Sequence, residues 1–298
     1  MTNRSWLLAV LAVCLIALCS GAGFAIPSLG GPTGIATLPN AAIAPMKVVD
    51  TALTYQKARV SNLVASSSMY GGPTTLVRKS EDLRVWSLQA LTGVTDEAEL
   101  WAAYSTVRDA TDSHVWGIGG KMLLPRLIRL PGTSVAVGAS YQDWVGAVAE
   151  VEVTGGGPAL LVADQKVTKA YLVATRDLSQ PKGETPRSGP RPGTHLLGSA
   201  GLLYMRVAPG IGDSDTVIRP FFGLEIKGED GAELGLEYRW RDDHVDSKAV
   251  TSAFLRYRFS SESTIEIGTS NAGPTGTGLD DRKPFIRVGY SIPIAALY

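Results

Sequence analysis

The sequence predicts an all-β chain, an antiparallel transmembrane β-barrel of about twelve strands with ten or fourteen as the alternatives. Three observations carry that expectation. The last third alternates strictly in polarity, so its segments have one apolar and one polar face. Short apolar segments separated by turn signals recur along most of the chain. The polar parity carries paired acids and bases, which suits a hydrated lumen better than a sealed core.

The N-terminus reads as a cleaved signal peptide, residues 1–25. Arg4 supplies the charged start, Trp6 to Leu18 the apolar run, and Gly23-Phe24-Ala25 the small residues of a cleavage site. Both cysteines, Cys14 and Cys19, fall within it, so the mature chain is expected to have no disulfide framework. Residues 26–46 form a Gly/Pro-rich arm, Ile-Pro-Ser-Leu-Gly-Gly-Pro-Thr-Gly at its start, which reads as an extended arm or short edge strand and not a helix. The barrel is assigned to 47–298 as a single domain. Its first strand is expected over Val48 to Lys57, and the polar stretch Ser61 to Lys79 reads as a loop. Leu83 to Leu91, Glu99 to Val107, Val115 to Leu123 and Ser134 to Tyr141 follow as strands. Alternation in this half is poorer. Gly146 to Val153 and Lys166 to Arg176 are weaker candidates, and Ser179 to Thr194, with four prolines, is a loop. Leu196 to Val207 resumes strand character.

From Val217 onward the pattern is clean. Leu234, Leu236, Tyr238 and Trp240 share one parity, and Glu233, Gly235, Glu237, Arg239 and Arg241 the other. Leu255, Tyr257 and Phe259 oppose Arg256 and Arg258; Ile286, Val288, Tyr290 and Ile292 oppose Arg287, Gly289, Ser291 and Pro293. Trp240, Tyr257, Phe259, Tyr290 and Tyr298 lie on the apolar parity, as an interfacial aromatic girdle requires, and Tyr298 completes a C-terminal signal like that of outer-membrane barrels. The charged parity, Glu225, Lys227, Glu233, Glu237, Arg239, Arg241, Arg256, Arg258, Glu266 and Arg287, is expected to line the lumen. There it serves either as a selectivity wall or as a structural ion-pair network. A soluble β-sandwich is the competing architecture, since alternation alone fits both. Counting hairpins back from Tyr298 places the proline-rich loop at the same end as the chain terminus.

Charge is balanced, with Lys+Arg 28 and Asp+Glu 28, so non-specific nucleic-acid binding has no electrostatic support. His114, His195 and His244 have no metal-ligand spacing, and no phosphate loop opens a helix, so neither metal nor cofactor is expected. Asp213, Asp215, Asp242, Asp243 and His244 together resemble the water-activating arrangement of omptin proteases, but their loops lie too close in sequence for that layout. Solvated turn residues account for them, and no catalysis is expected.

The arm from Pro27 to Ala41, with its Gly-Pro-Thr-Gly core followed by Pro39-Asn40-Ala41 and then a strand, resembles the opening of the YjbH-like outer-membrane barrels. That resemblance implies an outer-membrane barrel in exopolysaccharide export or envelope assembly, with a general diffusion porin as the alternative. Implied partners are outer-membrane lipid, the barrel assembly machinery, and polysaccharide or small polar solutes. The location implied is the outer membrane of a Gram-negative-type bacterium.

Overall fold

The computed structural model describes residues 34, 36–66, 75–108, 113–124, 132–146, 148–152, 158–162, 164–179, 194–209, 214–242, 248–260 and 262–294. The signal-peptide segment, Tyr298, Asp213, Asp243 and His244 lie outside them. Fourteen strands occur among the described residues: β1 (Val48–Ser66), β2 (Thr75–Thr95), β3 (Ala98–Arg108), β4 (Ser113–Leu123), β5 (Thr133–Val145), β6 (Val148–Glu152), β7 (Pro158–Val162), β8 (Gln165–Asp177), β9 (His195–Pro209), β10 (Asp215–Lys227), β11 (Ala232–Arg239), β12 (Val250–Arg258), β13 (Ser263–Ala272) and β14 (Gly278–Pro293). Twelve close into an antiparallel barrel in chain order, with β1 paired to β14; β6 and β7 form a separate hairpin. The barrel start and end therefore lie together, Val48 opposite Pro293, at what is called here the terminus end.

The alternating pattern becomes two surfaces. Leu88, Leu100, Ile118, Leu172, Leu202, Ile218, Leu236 and Ile267 point outward, each about half exposed or more. Such a continuous apolar exterior would be untenable in water and is what a bilayer requires. Closure of the twelve-stranded ring leaves it no free edge strand, the condition for a sheet in hydrocarbon. Aromatic side chains gather at both margins of this surface. Toward the far end Tyr55 meets Trp86, Trp116 meets Tyr141, and Phe222, Tyr238 and Trp240 cluster. Toward the terminus end stand Tyr257 and Phe259, exposed, and Tyr290. The sandwich alternative falls with the closed ring.

Two sequence expectations need correction here. Ser61–Lys79 is not loop throughout: β1 runs to Ser66 and β2 begins at Thr75, pairing from Val49↔Thr92 to Ser66↔Thr75. At 19 and 21 residues these strands far exceed the roughly ten that span a bilayer, so their far ends project beyond it. The Gly146–Val153 segment supplies no barrel strand; β6 pairs only with β7, and both sit in the connection from β5 to β8. By contrast, β8 ends and β9 begins at the terminus end as the hairpin count requires, residues 180–193 between them lying outside the described residues. Pro293 closes β14 at its last residue, where a missing N–H costs least.

The inward face of β2–β5 and β8–β9 carries buried apolar residues as well, such as Val85, Leu91, Trp101, Val107 and Val173, among polar ones. Many inward aromatics lie over a glycine directly opposite on the next strand. Trp101 pairs with Gly119, Tyr171 with Gly138, Phe221 with Gly201, Phe254 with Gly235 and Phe285 with Gly268. A Cβ at Gly235 would stand 2.1 Å from the Phe254 ring, so each ring fills the space its neighbour leaves. The lumen wall is thus packed like a core.

The outward register carries a direct test. Leu236→Arg, at the middle of β11 on the lipid face, should cost about 2–4 kcal/mol in unfolding from lipid, whereas a polar change at the projecting end of β1 should cost little. Urea unfolding in vesicles, read by tryptophan fluorescence, measures both.

Candidate functional site

The lumen is the candidate site, and its charged wall is an alternating ladder across five consecutive strands. Glu233 lies opposite Arg256, Arg256 opposite Glu266, and Glu266 opposite Arg287. Arg256 sits at the centre, 2.8 Å from Glu233, 2.7 Å from Glu266 and 3.9 Å from Glu225. Arg287 reaches Glu266 at 3.3 Å. All five groups are nearly inaccessible to solvent. Lys227 and Arg258 complete the ladder at the terminus-end rim, 3.9 Å and 3.5 Å from Glu233, with about a third of each side chain exposed. Buried ions of both signs satisfy one another here because direct opposition across an antiparallel pair places them within reach.

The arm, residue 34 and residues 36–46, lies inside the barrel. It enters beside β2, where Met46 bridges Gly93 and the backbone of Ala44 approaches too closely for any Cβ at Gly93. The Ala44 amide donates to Glu99 at 2.8 Å; Lys121 holds that carboxylate at 3.1 Å and donates to the Asn40 carbonyl at 3.0 Å. The Ala41 amide donates to Thr175 Oγ1. In mid-lumen the arm reverses, with Gly34 bridging Pro39. At this bend the amides of Ala36, Thr37 and Leu38 all donate to the Glu237 carboxylate, at 2.6, 2.9 and 3.0 Å, and the Thr37 hydroxyl adds a contact at 2.6 Å. Arg287 donates to the Ala36 carbonyl at 3.0 Å, tying the bend to the ladder. On the other side Leu38 and Ala41 pack against Ala136, Tyr171, Val173, Leu203 and Phe221. Ala36 packs against Phe254 and Phe285.

From the opposite end the β13–β14 connection folds inward. Thr275 is fully buried, and Arg239 of β11 donates to the Gly276 carbonyl. The Thr275 hydroxyl meets Gln165 of β8, on the far side of the ring. Gly276 adopts φ 83°, open to glycine at little cost, and Lys169 Nζ lies 3.0 Å from where its Cβ would stand.

Of the residues read from sequence as lumenal, Glu225, Glu233, Glu237, Arg239, Arg256, Glu266 and Arg287 are buried on the inward face, with Lys227 and Arg258 at the rim. Arg241 is not lumenal. The β11 strand ends at Arg239, so alternation stops there, and Arg241 is exposed in the following connection. Asp242 follows it, outside the strand, and its omptin-like companions lie outside the described residues. Sequence reasoning missed Glu99, Lys121, Lys169, Thr175 and Arg219. A local signal existed for two of them: Lys169 sits between Val167 and Tyr171, and Arg219 between Val217 and Phe221, each a charge flanked by apolar residues of its own parity. Among the described residues no cluster of His, Cys, Asp and Glu could hold a metal ion, and no helix is long and apolar enough to cross a membrane.

Neither family models nor curated proteins match the chain. Solved structures do. The translocator domain of the autotransporter NalP from Neisseria meningitidis aligns with TM-score 0.51 at 13% identity, covering 83% of this chain and 90% of that one. A KdgM porin structure aligns over 80% of this chain and 97% of its own with TM-score 0.44 and 8% identity. The Pseudomonas putida toluene transporter TodX aligns over 91% and 95% with TM-score 0.40 and 12% identity. At these identities the likeness concerns the fold. This chain is an outer-membrane β-barrel. The closed ring with a lipid-facing exterior places it in the outer membrane of a Gram-negative bacterium.

The ladder should be energetically uneven. Arg256→Met removes the central cation from three buried carboxylates and should destabilise the barrel by about 3–5 kcal/mol. Arg258→Met, at the rim, should cost under about 1 kcal/mol. Paired urea titrations in lipid settle the ranking.

Proposed function

We propose that this protein is a conduit of the outer membrane serving exopolysaccharide export or envelope assembly, held closed by its own N-terminal arm. The observation that carries the reading is the arm seated in the lumen, with Glu237 gathering the amides of Ala36, Thr37 and Leu38. It supports a regulated passage over a permanently open diffusion pore, because the arm occupies the route a solute would take. The stretch that resembles the YjbH-like barrels includes Gly34 and Ala36–Ala41, and these are residues that fill the lumen. The resemblance thereby gains a physical content: a chain that must turn back on itself between walls requires Gly and Pro, and small side chains such as Ala36 and Ala41 fit a narrow bore. Vacating the arm would uncover two unlike walls. One is the charged ladder; the other is the apolar patch of Tyr171, Val173, Leu203 and Phe221. A polysaccharide, with hydroxyl edges and apolar ring faces, matches such a pair of walls.

Planar-bilayer recording tests the closed conduit. The refolded protein should give no conductance steps, and a variant lacking residues 26–46 should give discrete ones. Glu237→Gln, which weakens the arm's anchor without shortening the chain, should give brief intermittent openings. Steady open steps from the intact protein would establish a diffusion porin. Deletion of the gene should lower surface exopolysaccharide; unchanged exopolysaccharide would remove that role while leaving the closed conduit standing.

A further inference from the structure

The outer wall of the barrel carries a row of like charges at its far end. Lys57 of β1 lies opposite Arg84 of β2, and Arg84 lies opposite Arg108 of β3. All three are exposed, while the residues that alternate with them, Gln56, Val85 and Val107, are buried on the inward face. Like charges placed directly opposite one another repel. Elsewhere this chain does the reverse: its inward ladder alternates in sign from Glu233 to Arg287. The next pair of the same parity, Arg59 with Asp82, is also of opposite sign. The row therefore keeps a positive excess, and strand spacing gathers it within roughly 10 Å. Its depth is defined as well. Lys57 stands about ten residues along β1 from Val48, the length of a bilayer-spanning strand. Just below the row Tyr55 meets Trp86 at 4.7 Å, and Tyr104 stacks on His114 at 5.9 Å, rings of the kind that settle at headgroup level. Short turns, residues 96–97, 228–231 and 259–262, join strands at the terminus end, whereas β1 and β2 project at the far end. Short turns face the periplasm and long extensions the outside. The row thus lies at the depth of the outer-leaflet headgroups.

We infer that Lys57, Arg84 and Arg108 form a binding site for a phosphorylated glycolipid of the outer leaflet. Its phosphates lie on the three cations and its acyl chains on the apolar wall below, where Leu88 and Leu100 are more than half exposed. Two guanidinium groups offer planar forks that match phosphate oxygens, and the ammonium adds a compact charge. Three cations spread over roughly 10 Å outreach one phosphate and suit a headgroup that bears two. The bound phosphates supply the negative charge that the like-signed row calls for, so lipid and wall stabilise each other. The site is on the exterior and is independent of what the lumen carries.

Native mass spectrometry of the refolded full chain in detergent, titrated with bisphosphorylated lipid A, should show one retained lipid. Its dephosphorylated counterpart should bind at least roughly tenfold more weakly. Each cation is worth roughly fivefold, so the triple variant Lys57→Gln, Arg84→Gln, Arg108→Gln should lose on the order of a hundredfold while heat-modifiability persists. Arg84→Glu alone gives a row that alternates in sign. It should abolish retention of the lipid and, in phosphatidylcholine vesicles, raise the urea midpoint of the barrel. Undiminished binding by the triple variant would overturn the inference. Equal retention of phosphatidylglycerol would overturn the choice of a glycolipid, and full displacement of the lipid by millimolar inorganic phosphate would show a site for free anions instead. If the triple variant fails to fold, Arg84→Glu decides: lipid retained as in the wild type overturns the site.

Discussion

The Glu237 carboxylate is the contact on which the lumen depends. Inside a narrow barrel a peptide bend has few waters to satisfy its amides, and an unsatisfied buried amide costs about 1–3 kcal/mol. Glu237 accepts from three consecutive amides and a hydroxyl of one bend. The same bend supplies donors to a carboxylate that would otherwise be a buried charge. Arm and wall are therefore solutions to each other's desolvation. Arg287 extends the dependence, since it donates to the Ala36 carbonyl and to Glu266 at once. Through Glu266 and Arg256 the bend is electrically continuous with the ladder down to the rim.

That arrangement changes what lumenal charge means in this chain. Charges facing an aqueous pore act on passing ions. Charges that are buried and opposed in pairs neutralise one another first, and their long-range field is small. The ladder is of the second kind: Arg256 alone has three carboxylates within 4 Å. Of the two readings weighed from sequence, selectivity wall and structural network, the ladder fits the second.

Legibility followed the contents of the lumen. From β11 onward the inner wall is mostly charged or small, so a period of two stands out in the residues, and the strands there were readable from Glu233 to Pro293. Phe254 and Phe285 were the exceptions, inward aromatics that cover Gly235 and Gly268 and face Ala36. In the first half, Leu91 and Trp101 face Ala44 of the arm, while Val85 and Val107 face Leu279. Those inward positions are apolar because the lumen is filled, and outward positions are apolar because the membrane is outside. Alternation vanishes when both surroundings are dry. The arm itself was legible as extended chain but not as interior chain. Its interior position follows from Glu99, Lys121, Thr175 and Glu237, which lie 55 to 201 residues away from the backbone groups they satisfy. No local pattern encodes partners at such separation.

The filled lumen also constrains any open state. The arm's contacts divide between a polar set, replaceable by water at modest net cost, and an apolar set, which is not. Exchanging the Glu237 contacts for hydration loses about 0.5–1.5 kcal/mol for an ordinary hydrogen bond and up to about 3 for one to a charged group. Exposing Leu38 and Ala41 together with the patch formed by Tyr171, Val173, Leu203 and Phe221 costs further, in proportion to area, and water offers no compensation. Opening is therefore opposed chiefly from the apolar side of the lumen, while the polar side sets the register in which the arm reseats. A cargo that covers the apolar patch lowers the cost of displacement in a way that a small ion cannot. On these grounds the proposed conduit responds to a carbohydrate chain and stays shut to simple salts.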